Sequence, residues 1–244
     1  MMRVLSTVRF TALRMVRNYI VLLLLLVVPI ILITLFSFIL SGMVTESGVP
    51  YINENAMTLV LCFQLFGGSI VMYLVHNDLF AANRTRMYTL PFNQSMYAFS
   101  IMMCGVVFSV FLGIILMLYT QFVLGVEWGN WPWIIYNICL LAVLSIIVSL
   151  IFAFTVKNNK LAERLVDAYG VGLILLAGLF FPMPDNAFFD FMGSYGNPLV
   201  IALMSTGEMN ESNPSEAWFL ANILLAVICV LFIVMLVVGR RKLA

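Results

Sequence analysis

The chain has 244 residues, of which 64% are apolar and 9% charged, and its mean hydropathy is +1.10. That composition excludes a water-soluble domain of ordinary make-up. At roughly 20 helical residues per crossing of a hydrocarbon core of about 30 Å, the length leaves room for about six crossings. The net charge is only +1, so the informative quantity is which loops hold the cations.

Residues 1–17 set Arg3, Arg9, Arg14 and Arg17 opposite an arc of Val4, Leu5, Val8, Ala12, Met15 and Val16 at helical spacing, with Phe10 and Leu13 off the pattern. This predicts a helix lying in the membrane interface with its arginines toward anionic headgroups, either anchoring the first span or touching a partner protein. The apolar run that follows has a core longer than a secretion signal and no A-x-A site, so it reads as a retained anchor. Charge-free stretches then predict spans near 19–40, 55–75, 96–123, 132–155, 162–182 and 216–238. Pro29, which removes an amide donor in mid-span, is expected to kink the first of them.

An even number of spans puts both termini on one side, and the cations choose it. All twelve Lys and Arg residues fall on the side of the termini, which the positive-inside rule makes cytoplasmic. Glu46, Glu54, Glu127, Asp185, Asp190, Glu208, Glu211 and Glu216 fall on the other face, as do Trp128, Trp131, Trp133 and Trp218, whose amphipathic rings suit the headgroup zone. The expected fold is therefore all-α and polytopic: a single six-helix transmembrane domain over 1–244, with both termini in the cytoplasm and an interfacial helix over 1–17.

The stretch 183–215 is too apolar for a solvated loop and too interrupted by proline and glycine to cross. It is expected to dip into the outer face and return, with a half-helix around Phe188–Met192 and a second opened by Asn197-Pro198 through about Ser205. A loop packed over the outer helix ends is the simpler alternative. Asn213-Pro214-Ser215-Glu216 repeats the start signal and launches the last span. Cys62, Cys104, Cys139 and Cys229 each sit in an apolar run without C-x-x-C spacing, and read as small core or lipid-facing residues.

No Gly-Lys pair occurs, hence no phosphate-binding loop, and any ATP would be hydrolysed by another chain. The sole histidine, His76, has no zinc-protease partner, and no Ser or Cys has a His–carboxylate set to activate it. Nothing points to nucleic acid. The polar residues inside spans are neutral: Gln64, Thr120, Gln121, Asn137 and Asn222. Gln64, Gln121 and Asn137 are candidates for lining a substrate path, and hydrogen bonding between helices is their other reading. Small residues at helix-packing spacing, Gly105-x-x-x-Ser109-x-x-x-Gly113 and Gly67-Gly68-Ser69, mark close helix approaches, by default within the chain.

The segment 76–92 (His76-Asn77-Asp78-Leu79-Phe80-Ala81-Ala82-Asn83-Arg84-Thr85-Arg86-Met87-Tyr88-Thr89-Leu90-Pro91, then Phe92) joins the second and third spans on the cytoplasmic side. It resembles the equivalent loop of permeases of type-2 ATP-binding-cassette exporters, where an acidic residue, a short polar helix and a Thr/Leu-Pro end form the element that docks on the ATPase. Leu173 to Pro184 followed by Gly196-Asn197-Pro198-Leu199 is similar to that family's small-residue, aromatic-Pro and Asn-Pro pattern after the fifth span. The amphipathic start, six spans and inward termini agree, so the resemblance extends over nearly the whole chain. Where members commonly carry Glu-Arg-Glu-x-Gly in the coupling segment, this chain has Asp78 and Ala82 with no second acid or glycine.

The resemblance implies a membrane subunit that works as a pair of permeases, two copies or one copy with a related chain, with two partner ATPases that hold ATP and Mg. The chain itself would hold no cofactor. It implies that Asp78, Asn83, Arg84, Thr85 and Arg86 couple to the ATPase, and that Phe181, Pro182, Asn197 and Pro198 belong to an outer re-entrant gate. The weakly polar spans favour a hydrophobic or amphipathic cargo such as a drug, an antimicrobial peptide or a lipid-like molecule, exported across a bacterial plasma membrane. The alternative is a non-transporting membrane protein that senses or shields against a peptide by binding it at the outer face.

Overall fold

The computed structural model describes residues 2–40, 42–43, 50–80, 94–156, 158–179 and 183–243, and every regular element among them is a helix. The N-terminal helix α1 (Met2–Arg17) stops at Asn18, whose Oδ1 accepts the Val21 N–H at 3.5 Å and opens α2 (Tyr19–Ile39). The disturbance expected at Pro29 takes the form of a π-helical turn over Leu23–Val27. A proline lacks the N–H that would bond four residues back, and a widened turn ahead of it relieves the clash between ring and carbonyl.

The second predicted span is two helices, α3 (Tyr51–Gln64) and α4 (Gly68–Leu79). Between them the backbone tightens: the amides of Leu65, Phe66 and Gly67 bond to the carbonyls of Cys62, Phe63 and Gln64, three residues back, at 3.1–3.2 Å. Then follow α5 (Gln94–Leu124), α6 (Trp131–Thr155), α7 (Asn159–Leu176), α8 (Ala187–Met192), α9 (Pro198–Asn210) and α10 (Pro214–Leu243). Four of these start the same way. Asn130, Asn158, Asn186 and Asn197 each accept a first-turn amide, two of them just ahead of a first-turn proline.

Among the described residues, five helices are long and apolar enough to cross a membrane: Tyr19–Ile39, Tyr51–Leu79 taken through its tight turn, Gln94–Leu124, Trp131–Thr155 and Pro214–Lys242. The stretch 162–182, predicted as a sixth, differs. Its helix α7 begins earlier, carries Lys160, Glu163, Arg164 and Asp167 in its first half, and ends at Leu176, with Gly178 at φ +68° soon after. Only its second half is apolar, so the described helix falls short of that standard.

The helix pair α3–α4 and helix α6 form the centre, with 72% of each apolar window buried, whereas α2 and α10 form the rim at 17% and 22%. Leu61, Leu65, Ile70, Ile101, Leu116 and Ile134 fill the space between. The small-residue stripe on α5 is what lets the centre close. A Cβ on Gly105 would strike the Val71 side chain, and one on Gly113 would come within 2.8 Å of Ile138 and collide with Gln64. The stripe therefore packs inside this chain, against α3, α4 and α6.

Candidate functional site

One ion pair ties three helices together at the foot of the charged segment. Asp78 lies in the last turn of α4, Arg14 in the last turn of α1, and Tyr97 in the first turn of α5. Arg14 donates twice to the carboxylate, Nη1 to Oδ2 at 2.7 Å and Nη2 to Oδ1 at 3.1 Å, and the Tyr97 hydroxyl donates to Oδ2 at 2.7 Å. The Asp78 side chain is 2% exposed and that of Arg14 is 42% exposed. A carboxylate at a helix C-terminus meets the negative end of the helix dipole, so this one needs its cation; a bidentate guanidinium matches it in charge and shape. The bond to Asp78 in turn pushes the Arg14 guanidinium above its already high ordinary pKa.

The coupling residues expected around Asp78 separate into two groups. Asn83, Arg84, Thr85 and Arg86 lie outside the described residues. Asp78 itself is not a surface residue available to a partner; it is a buried anchor that fixes where the segment leaves α4. Tyr97, 19 residues further on, fixes where the chain re-enters α5. Arg14 enters the sequence reading only as one of the basic residues of the interfacial helix, and Tyr97 does not enter it. The signal that finds Arg14 is the lone acid at the end of an apolar span: such a carboxylate requires a cation from the same side of the membrane.

The candidate path residues are engaged in helix packing. Gln64 is 3% exposed and accepts from the Ser109 hydroxyl at 3.1 Å. Asn137 is fully buried and donates to Thr206 Oγ1 at 3.1 Å, while its Oδ1 has no partner. Gln121 also keeps a buried, unpartnered Oε1. None of the three lines an apolar groove of ≈ 350 Å³ between α1 and α5, walled by Ala12, Val16, Met103, Val107 and Phe111. None lines the cavity of ≈ 210 Å³ where Phe99, Phe154, Met235 and Arg240 meet.

The tight turn between α3 and α4 is fastened from across the bundle. The Ser145 hydroxyl of α6 donates to the Leu65 carbonyl at 2.6 Å and accepts the Gly68 N–H at 3.0 Å, so groups freed by the break are satisfied without water. A Cβ on Gly68 would collide with the Ser145 backbone carbonyl.

Phe181 and Pro182 lie outside the described residues; Asn197 and Pro198, at the end of the molecule away from the clamp, start α9. Asn197 is fully buried: its Oδ1 caps Leu199 at 3.0 Å, and its Nδ2 donates to the Leu173 carbonyl of α7 at 2.7 Å. The helix it starts runs to Asn210, past the end expected near Ser205, and buries Leu199, Ile201, Ala202 and Ser205 against its neighbours. Trp133 bonds the Ser205 carbonyl at 3.0 Å and stacks edge-on to Trp218 at 4.7 Å. By contrast, α8 leaves Phe188 and Phe191 more than half exposed. All four cysteines are free thiols. Compared with known proteins, the chain matches no family model, no curated protein and no solved structure.

Proposed function

We propose that this chain is the membrane-spanning permease subunit of an ATP-binding-cassette exporter. In this reading α7, continued through the residues after it, is a sixth span; both termini are cytoplasmic; and 183–215 is a re-entrant outer gate in a bacterial plasma membrane. Two partner ATPases, which hold ATP and Mg, grip the segment 76–92 from below. A second permease, identical or related, completes the pathway for a hydrophobic or amphipathic cargo.

The observation that carries the proposal is the clamp at the base of that segment. The Tyr97–Asp78 hydrogen bond closes the loop at its neck, and Arg14 ties the neck to α1. A push on a loop whose two ends are bonded to each other moves the α4 and α5 ends as a unit instead of deforming a slack linker. That is the mechanical property a coupling element needs, because force reaches the spans only through contacts that hold in both states.

The test is co-purification with an ATP-binding-cassette ATPase encoded beside it. Arg84→Glu/Arg86→Glu is expected to lower recovery of the ATPase, and its stimulation by the permease, at least tenfold with the membrane subunit still folded. Unchanged recovery would remove these arginines from the interface. A cysteine placed at position 84 that reacts with an impermeant reagent on intact cells would overturn the orientation and the proposal with it.

A further inference from the structure

A second basic feature lies beside the clamp but is not part of it. A shallow, open depression of ≈ 360 Å³ lies at the elbow between α1 and α2, lined by Arg14, Arg17, Asn18, Tyr19, Tyr73 and Asn77. Arg14 spends its charge on Asp78. Arg17, one turn on, has no carboxylate partner among the described residues. Among the described residues, two guanidiniums against one buried carboxylate leave one net positive charge here.

The surroundings state what kind of anion would be held. Asn18 is committed to capping α2, and two further polar residues, Tyr73 and Asn77 of α4, line the same depression. The rim is greasy: Tyr19 is 75% exposed and the adjoining Ile20 57%, at the start of a helix whose apolar window is only 17% buried. A free anion has no use for such a rim, whereas a phosphodiester carrying two acyl chains does.

We infer that this elbow is a binding site for one anionic phospholipid, with its phosphodiester on Arg17 and Arg14, its polar headgroup toward Tyr73 and Asn77, and its chains along Tyr19 and Ile20. A single negative charge matches the single uncompensated cation, so a phosphatidylglycerol type is preferred over a zwitterionic one. The site depends on the membrane character of the chain and not on its pairing with an ATPase.

The full-length protein, stripped of lipid in neutral detergent, is titrated with phosphatidylglycerol or phosphatidylcholine and followed by native mass spectrometry. The expected result is one retained phosphatidylglycerol per chain, with at least tenfold weaker retention of phosphatidylcholine. Arg17→Gln is expected to weaken retention about tenfold and Tyr73→Phe by a smaller factor. Arg241→Gln, on the far terminus, is expected to leave it unchanged. Inorganic phosphate at millimolar concentration is expected not to displace the lipid. Equal loss in Arg17→Gln and Arg241→Gln would reduce the effect to general attraction between cations and lipid. Displacement by phosphate would make the depression a solute site, and equal retention of the two lipids would remove the charge argument. Any of these overturns the inference.

Discussion

The Asp78 carboxylate is costly to leave alone, being nearly inaccessible and placed at the wrong end of a helix dipole. Removing a partner from a buried pair strands the other charge, at a cost of about 3–5 kcal/mol when both are buried, and less here because Arg14 is partly open to solvent. Arg14→Met is thus expected to destabilise by about 2 kcal/mol and Asp78→Asn by less, because the cation it frees reaches water. The double variant is expected to recover part of the loss of Arg14→Met. Thermal unfolding in a fixed detergent reads these values, and strict additivity of the two single changes would show that the residues do not interact. Arg14 stays charged at any pH a cell reaches, since its shift is upward, so its own titration gives the clamp no pH dependence.

Among the elements, the broken helix α3–α4 shows how a span can be interrupted in the middle of a core. Its freed carbonyl and amide are taken by a serine 77 to 80 residues away in sequence. Ser145→Ala leaves both buried and unpaired, and the expected loss is about 1–3 kcal/mol. Gly68→Ala pushes a methyl into the α6 backbone and is expected to be worse; the two can be ranked by thermal unfolding, and a neutral Gly68→Ala would mean that α4 and α6 are further apart than described. Asn197→Ala removes both the α9 cap and the tie to α7. A loss of about 1–2 kcal/mol and faster protease cleavage between 183 and 198 are expected, with ATPase recovery unaltered.

The helices at 94–124 and 131–155 were legible in the sequence to within two residues, because a membrane span announces itself by length and hydropathy alone. The break at 65–67 was not, although Gly67-Gly68-Ser69 was plainly a packing motif, because the group that permits it sits on another helix. The same limit hid Tyr97 from the clamp. Local pattern reports what a residue tolerates; its partner is decided by which helices become neighbours. The expected span over 162–182 is described only in part: α7 carries charges in its first half and ends at Leu176, and 180–182 lie outside the described residues.

On the scale of the whole molecule, a buried centre of α3–α4 and α6 is flanked by α5, half buried, and by α2 and α10, which show most of their surface to their surroundings. The four tryptophans sample this arrangement. Trp128 is 1% exposed and bonded to Thr120 Oγ1 at 2.9 Å, whereas Trp218 is 51% exposed beside Trp133. In single-tryptophan variants reconstituted into lipid brominated near the headgroup, fluorescence from Trp218 is expected to be quenched several-fold more than that from Trp128. Comparable quenching of both would place Trp128 at the surface and contradict the packing around it.

The clamp also sets an order of assembly during synthesis. Arg14 leaves the ribosome 64 residues before the carboxylate that neutralises it, an interval on the order of ten seconds at ordinary translation rates. Until α4 has been made, α1 lacks the carboxylate that neutralises Arg14, and its packing against α5, with the Tyr97 bond to the same carboxylate, comes later still. The nascent chain thus completes its N-terminal edge late, and the insertion machinery has to release the early segments in a form that can still wait for Asp78.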